Sequence, residues 1–408
     1  MVKQREDSKD RLWVVTELYY PEETSTGYYL TRIAEGLAAD FDVKALCGQP
    51  TYAARGVIAP KHEFHNGVEI FRASGTTLDK NVIVFRLLNM LTLGVSVFFK
   101  ALRNFRAGDK VLVVTNPPSM PFVIALAALM KGSSYILLIH DNYPEILIAV
   151  GKSGPGSFLS RTISFFNRWL YKYAAKIIVV GRDMYELLMR KTAGLDIPII
   201  TIQNWAELES VAPSPRSQNA LLNELGLSDK FVFLYAGNLG HPNDLESVVE
   251  CAHMLRDNTD VHFIFLGAGV KRKWLDTRVA ELSLKNVTIL DPRPRSDQAV
   301  FLNACDVALV SLVKNMVGVS MPSRTYNILA AGRPILALGE EGSELAQVVL
   351  EDQVGWVVRP HDPASLMDTI LEISKSREKL SAMANAARES AITKYSLETA
   401  LEKYRSAI

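Results

Sequence analysis

Two glycine-bearing segments in the second half of the chain have the residue types to receive an anion. In Tyr235-Ala-Gly-Asn-Leu-Gly-His-Pro-Asn-Asp-Leu-Glu, an apolar strand runs into Gly237, Asn238, Leu239 and Gly240, and a helix begins behind them. Glycines at such a turn let the backbone approach a ligand closely. The helix start aims its amides and positive dipole end the same way. Asn243, with Glu246 three residues on, has the spacing of a capping box. The second segment runs Gly318-Val-Ser-Met-Pro-Ser-Arg-Thr-Tyr-Asn-Ile-Leu-Ala-Ala-Gly-Arg-Pro-Ile. Its pattern predicts a loop, a helix capped by Ser320 with Pro322 in the first turn, a stop at Gly332 and a strand. The backbone of Val319, Ser320, Met321, Pro322, Ser323 and Arg324 would then line a second anion-ready turn, with every residue but the proline offering an N–H. Arg324 adds a planar fork suited to phosphate oxygens. Lys314 is a second possible cation, though a lone loop lysine is more often solvated. Either turn alone is an ordinary strand-to-helix connection; two anion-ready turns in one domain are a far more specific signal.

Two further carboxylate signals carry different weights. Asp141 ends the apolar run 135–139, and the carboxyl end of a central strand is where open α/β sheets place ligands. A helix cap is the competing role. His140 beside it is the weaker candidate, because strand alternation turns it to the other face. Asp40-Phe-Asp42 matches a metal-holding Asp-x-Asp pattern, but it lies at the entry of a strand, the wrong end for a ligand.

The elements that must position these groups are legible. Runs rich in Val, Ile and Leu at 12–16, 42–46, 68–71, 111–115, 135–139, 177–180 and 199–202 read as strands covered on both faces. The second half repeats the scheme at 231–236, 262–266, 287–290, 306–310, 334–338 and 356–358. Helical stretches alternate with them, which predicts two doubly wound, Rossmann-like α/β domains facing each other across a cleft. The polar stretch around Ala212-Pro-Ser-Pro-Arg reads as the linker. The expected division is a disordered tail at 1–10, a first domain at 11–205, a linker at 206–217 and a second domain at 218–395. A last helix at about 396–408 would cross back to the first domain.

Composition bounds the function. The 408 residues, 48% hydrophobic, suffice for two cores. Lys+Arg 45 against Asp+Glu 44 leaves a net charge of +1, so no general attraction to nucleic acid follows. Cys47, Cys251 and Cys305 are odd in number and set in apolar runs, which suits buried thiols in a reducing cytoplasm and neither a disulfide framework nor a zinc site. Two basic, apolar stretches, Asn81 to Phe105 and Phe158 to Lys176, are either covering helices or contacts to an anionic membrane surface. The first is marginal as a spanning segment, being interrupted by Arg86 and Asn89.

The order of the turn at Gly237, Val287-Thr-Ile-Leu, Ala304-Cys-Asp-Val-Ala-Leu-Val and Pro322-Ser-Arg-Thr-Tyr-Asn-Ile-Leu-Ala-Ala-Gly-Arg-Pro resembles retaining glycosyltransferases of family 4. The likeness is to the branch acting in bacterial surface-polysaccharide assembly. Tyr19-Tyr-Pro-Glu and the loop through Thr26 to Gly27 resemble that family's glycine loop near the donor phosphates. Thr115-Asn116-Pro-Pro and His140-Asp-Asn-Tyr143-Pro-Glu resemble its loops facing acceptor and sugar. The resemblance implies the two-domain GT-B fold and a nucleoside-diphosphate-sugar donor, commonly a UDP-hexose, with no metal and no other cofactor. It implies a polysaccharide or lipid-linked oligosaccharide acceptor and a cytoplasmic site of action, peripheral on the inner face of the plasma membrane. Transfer would retain configuration, with Asp141, Arg324 and secondarily His140 in catalysis. Arg293 or Arg295 would lie near the base, and Asn116, Tyr143 and Asn204 on the acceptor side. Many relatives carry two glutamates eight positions apart where this chain has Val319 and Asn327. Asn327 retains an amide that can meet ribose hydroxyls, whereas Val319 leaves only backbone groups for the sugar.

Three rivals follow from the same residues. An epimerase would need paired acid and base groups around the sugar, and no clear set is present. A nicotinamide dehydrogenase would place G-x-G-x-x-G after the first strand, where the chain reads Glu17-Leu-Tyr-Tyr-Pro-Glu; Gly267-Ala-Gly269 lies in the other domain and lacks the third glycine. A non-catalytic nucleotide-sugar sensor is the serious alternative, because of Val319 and Asn327.

Overall fold

A computed structural model of the chain describes residues 9–50, 58–78 and 82–408. The expected disordered tail falls, for residues 1–8, outside the described residues, as does Asn81. The chain forms two compact units. The first comprises residues 1–143, 161–202 and 401–408, and the second residues 144–160 and 203–400. Two segments therefore depart from a simple division near residue 205. The stretch 144–160 belongs to the second unit, and no local sequence pattern announces such an excursion.

The elements come in alternation. First are β1 (Arg11–Val15), α1 (Ser25–Leu37), β2 (Asp42–Cys47), β3 (His62–His65), β4 (Val68–Arg72) and α2 (Ile83–Asn104). Then come β5 (Lys110–Val114), α3 (Met120–Lys131), β6 (Ser134–Ile139), α4 (Glu145–Ala149) and α5 (Phe158–Lys172). This half closes with β7 (Lys176–Val179), α6 (Arg182–Lys191) and β8 (Ile199–Thr201). The next are α7 (Ala220–Leu225), β9 (Phe231–Ala236), α8 (Leu245–Met254), β10 (Val261–Leu266), α9 (Arg272–Glu281) and β11 (Val287–Leu290). The last are α10 (Gln298–Leu302), β12 (Val307–Ser311), α11 (Arg324–Ala330), β13 (Ile335–Leu338), α12 (Glu344–Glu351) and β14 (Gly355–Val358), then α13 (Pro363–Lys375), α14 (Arg377–Thr393) and α15 (Leu397–Ala407).

The first unit holds an 8-stranded sheet in the order β3-β4-β2-β1-β5-β6-β7-β8, parallel apart from β3. The second holds a 6-stranded parallel sheet, β11-β10-β9-β12-β13-β14. The central strands are apolar throughout because helices cover both faces, so each side chain has a dry neighbour. Trp13 anchors the first core against Phe105, with ring centroids 5.2 Å apart. Its indole N–H donates to Asp109 at 2.9 Å. Phe233 and Phe263 stack at 5.7 Å in the second core. All three cysteines are buried thiols, and burial pushes each up to about 12. None is a nucleophile at neutral pH.

Each sheet reverses its strand order once near the middle, between β1 and β5 in the first and between β9 and β12 in the second. The two connections leaving such a point diverge to opposite faces and open a crevice at the carboxyl ends of the strands. The candidate residues Thr26, Gly27 and Asn116 follow the first pair. The glycine turn at 237–240 and the segment 318–324 follow the second.

The C-terminal residues complete the first unit. Leu401 packs against Gly36 so closely that a Cβ there would lie 2.4 Å from its Cδ1. Arg405 donates to Asp40 at 2.8 Å, which occupies one arm of the Asp-x-Asp pattern; Asp42 stands 3.4 Å from Lys44. Tyr404 is only 1% exposed. We expect Tyr404→Ala to cost about 3–5 kcal/mol, the range for removing a buried aromatic ring. Denaturant unfolding of the full chain should show the first unit's transition shifted and the second unit's unchanged.

Candidate functional site

In the second unit the two anion-ready segments meet through one guanidinium. Arg324 lies over the face of Tyr235, its Cζ 4.5 Å from the ring centroid. One terminal nitrogen donates to the Tyr235 hydroxyl at 3.0 Å and the other to Asn243 Oδ1 at 2.9 Å. The Tyr235 hydroxyl in turn donates to the Asn238 carbonyl at 2.8 Å, and Asn243 Nδ2 donates to the same carbonyl at 3.0 Å. Arginine, tyrosine, turn and asparagine thus close a ring of hydrogen bonds. Burial raises the Tyr235 phenol, against the lowering influence of Arg324, so it stays protonated and keeps its donor role. The Arg324 Nε–H is buried and finds no partner among the described residues.

Glycine makes this possible. Gly237 has φ +152, and a Cβ there would fall 2.4 Å from the Arg324 guanidinium. A Cβ on Gly267, also at φ +152, would fall 2.0 Å from the Gly237 carbonyl. The Gly267-Ala-Gly269 motif is therefore a brace for the first turn, and Leu239 N–H donates to the Ala268 carbonyl at 2.8 Å.

Two helix starts differ from expectation. The cap of α8 is Asp244, whose Oδ1 accepts from Ser247 N–H at 3.1 Å, not Asn243. That shift by one residue releases Asn243 to hold Arg324. Helix α11 starts at Arg324 with Ser323 as cap, so neither Ser320 nor Pro322 takes the role expected of it. Val319 and Met321 are both buried, with Ser320 half-buried between them. The Val319 amide donates to the Met316 carbonyl at 3.0 Å.

Asn327 and the arginines near it serve the linker. Asn327 is 4% exposed. Its Oδ1 accepts from Glu207 N–H at 2.9 Å, and its Nδ2 donates to Gln298 at 2.9 Å and to the Glu207 carboxylate. Arg295 grips the other Glu207 oxygen through Nε at 3.0 Å. The Asn327 amide is thus engaged on three sides, by Glu207 twice and by Gln298. Arg293 pairs with Glu224 at 3.6 Å. Asn204 is buried in the second unit, apart from Asn116 and Tyr143 in the first.

In the first unit, polar residues collect at the carboxyl ends of β1, β5 and β6. Asn116 Nδ2 donates to Thr26 Oγ1 at 3.5 Å. Gly27 lies in the first turn of α1, where a Cβ would stand 2.5 Å from the Glu22 carbonyl oxygen. Thr115 Oγ1 accepts from the backbone N–H of His140 at 3.2 Å and of Asp141 at 3.4 Å, tying β5 to β6. Burial pushes the His140 imidazole down to about 4, so this residue stays neutral and cannot supply a proton as an imidazolium. The Tyr143 phenol is pushed up to about 12 by burial first and Asp141 second, with Arg86 opposing. Asp141, Tyr143 and Arg86 thus share one electrostatic neighbourhood. Among the described residues no three His, Cys, Asp or Glu side chains are grouped to hold a metal ion.

Two doubly wound sheets with ligand-ready turns at both switch points define a GT-B sugar-transfer fold. The family profile "Glycosyl transferases group 1" matches residues 217–390 and "Glycosyl transferase 4-like domain" matches residues 25–205. The chain belongs to these family 4 type glycosyltransferases. It is similar to the probable glycosyltransferase WbjE of Pseudomonas aeruginosa, with 29% identity over 98% of this chain and 97% of that protein. It is 25% identical to the putative colanic acid biosynthesis glycosyl transferase WcaI of Escherichia coli K12, over 81% of this chain and 83% of that one. The structure of Anabaena HepE in complex with UDP-glucose superposes with a TM-score of 0.73 at 16% identity, covering 98% of this chain and 100% of that chain.

Two outcomes follow. Arg324→Ala opens the hydrogen-bonded ring and removes the one cation shared by both segments; kcat should fall about 10²-fold or more, as for loss of one preorganised donor. Arg324→Lys should restore only part, since a single ammonium lacks the planar fork whose two nitrogens reach Tyr235 and Asn243 separately; steady-state kinetics with UDP calorimetry reads both. Histidine NMR titration should find His140 and His262 neutral down to about 4, below their ordinary 6.5, mainly through burial. The unfolded chain then binds protons that the folded chain refuses, so stability should fall as pH drops from 6.5 toward about 4 and be flat above that window.

Proposed function

We propose that the chain is a retaining, metal-independent hexosyltransferase, using a UDP-sugar to extend a lipid-linked oligosaccharide or polysaccharide at the cytoplasmic face of a membrane. The observation that carries this is the closed ring of Arg324, Tyr235, Asn238 and Asn243, a fixed cation beside a glycine turn at a strand-order switch. Negative charge grows on the diphosphate as the anomeric C–O bond breaks. Donors fixed in advance stabilise that charge without reorganisation. The acceptor hydroxyl attacks the anomeric carbon from the face that UDP leaves, and its proton passes to the departing phosphate oxygen. Asp141, with Tyr143 beside it, orients the sugar or the acceptor hydroxyl. His140, being neutral, contributes a hydrogen bond and no charge. The UDP-glucose bound to HepE and the polysaccharide assignment of WcaI support the choice of donor and acceptor.

One observation favours a second reading, a non-catalytic nucleotide-sugar sensor: Asn327, at a position where relatives carry glutamate, is committed to Glu207. Incubating UDP-hexoses with a lipid-linked acceptor and EDTA separates the two. UDP release with an α-configured product from an α-linked donor is expected. Binding without release would make the protein a sensor, and activity lost to EDTA but restored by Mg²⁺ would overturn metal independence.

A further inference from the structure

The first unit contains a pocket of about 750 Å³ that extends well beyond the residues proposed above to orient sugar and acceptor. It lies beneath α5, with α3 as one wall and the ends of β5 and β6 as its floor. Phe122, Leu137, Ile139, Ile163, Trp169 and Leu170 are among its apolar walls. A hexose carries hydroxyls at nearly every carbon, and burying them against such walls without partners would cost several kcal/mol. The walls fit a hydrocarbon.

The pocket has two unlike ends. Thr115, Asp141 and Tyr143 border one of them, and Arg86 lies close enough to act on Tyr143. That end coincides with the carboxyl edge of the sheet, where the acceptor is placed above. At the other end Leu126, Phe165 and Phe166 line the pocket and are also exposed, at 47%, 72% and 51%. The pocket therefore opens onto an apolar surface, which continues along α2 through Phe85, Leu88, Leu91 and Phe99, all exposed. Residues Val84–Asn104 of that helix are long and apolar enough to cross a membrane, yet their most apolar stretch is only 28% buried. Helices α2, α3 and α5 contain no Asp or Glu, and they carry Arg86, Lys100, Arg103, Lys131, Arg161, Arg168 and Lys172. A basic rim around exposed hydrophobes complements an anionic lipid surface.

We propose that this pocket takes the hydrocarbon chain of a phosphate-linked acceptor lipid, entering from a bilayer at Phe165 and Phe166 and placing its phosphate end toward Arg86, with the sugar-bearing head left to Asp141. The proposal rests on the acceptor reading above. It adds that the enzyme binds the lipid chain itself and so selects acceptors by their apolar portion. A chain seated there fixes the distance from the pocket to the sugar-bearing head.

The test uses full-length protein and a diazirine-bearing farnesyl phosphate. Photolysis should label peptides of α3 and α5, and unlabelled farnesyl phosphate should suppress the labelling. Ile163→Trp fills the pocket, and Leu126→Arg charges its exposed mouth without entering the core. Either should cut labelling at least tenfold and raise KM for a prenyl-linked acceptor to a similar degree. UDP affinity, and transfer to the same glycan lacking its lipid, should stay at the wild-type level. Labels elsewhere in the chain, or a KM independent of the lipid chain, would overturn the proposal while leaving the transferase intact. Labelling in the pocket with no transfer to any acceptor would sustain it and instead defeat the function proposed above.

Discussion

A guanidinium lodged where two glycines leave room for it organises the second unit's site. Arg324 enters over the Gly237 backbone, and that backbone is itself wedged against Gly267. A side chain at either glycine would displace the arginine, the turn, or both. The contact also costs Arg324 much of its freedom: stacking on Tyr235 and bonding to Asn243 fix its fork before any ligand arrives. Preorganisation of this kind is what an anionic leaving group rewards, because water would otherwise have to reorient around the charge. The ordinary residues nearby acquire meaning from this arrangement. Tyr235 relays a hydrogen bond from arginine to the turn, and Asp244 takes over capping so that Asn243 need not.

The first unit achieves order by a different route. Its polar groups are placed by strand ends rather than by a central charge, with Thr115 stitching β5 to β6 through two backbone amides. Burial around them is deep enough to keep His140 neutral and the Tyr143 phenol protonated. Ionised charge there is left to Asp141 and Arg86, a carboxylate and a cation sharing one neighbourhood.

The fold was legible because buried parallel strands write themselves as runs of Val, Ile and Leu, and the family through the resemblance carried by the Gly237 turn and the segment after Pro322. The strand that escaped was β3, His62–His65, an antiparallel edge with two exposed positions and little apolar content. The glycine turn and Arg324 were visible as motifs, but their ring joins residues 89 and 81 positions apart. Asn243 and Asp244 are both good caps, and only the demand of Arg324 for an acceptor decides between them. The contacts of Asn327 were hidden for a similar reason: its partner Glu207 lies 120 residues away in the linker. Local spacing specifies what a segment can do; tertiary contacts specify which of those roles it is released to perform.

The closure of the first unit by residues 401–408 has a consequence for synthesis. A ribosome delivers β1, α1 and the whole eight-stranded sheet long before Leu401 and Tyr404 emerge. Until then the face of α1 around Gly36 stands uncovered, while the second unit has nearly all its residues and can fold outright. Maturation therefore runs against the direction of the chain: the half made first is finished last. An incomplete nascent chain exposes apolar surface on its amino-terminal half, and that is where a chaperone would find it.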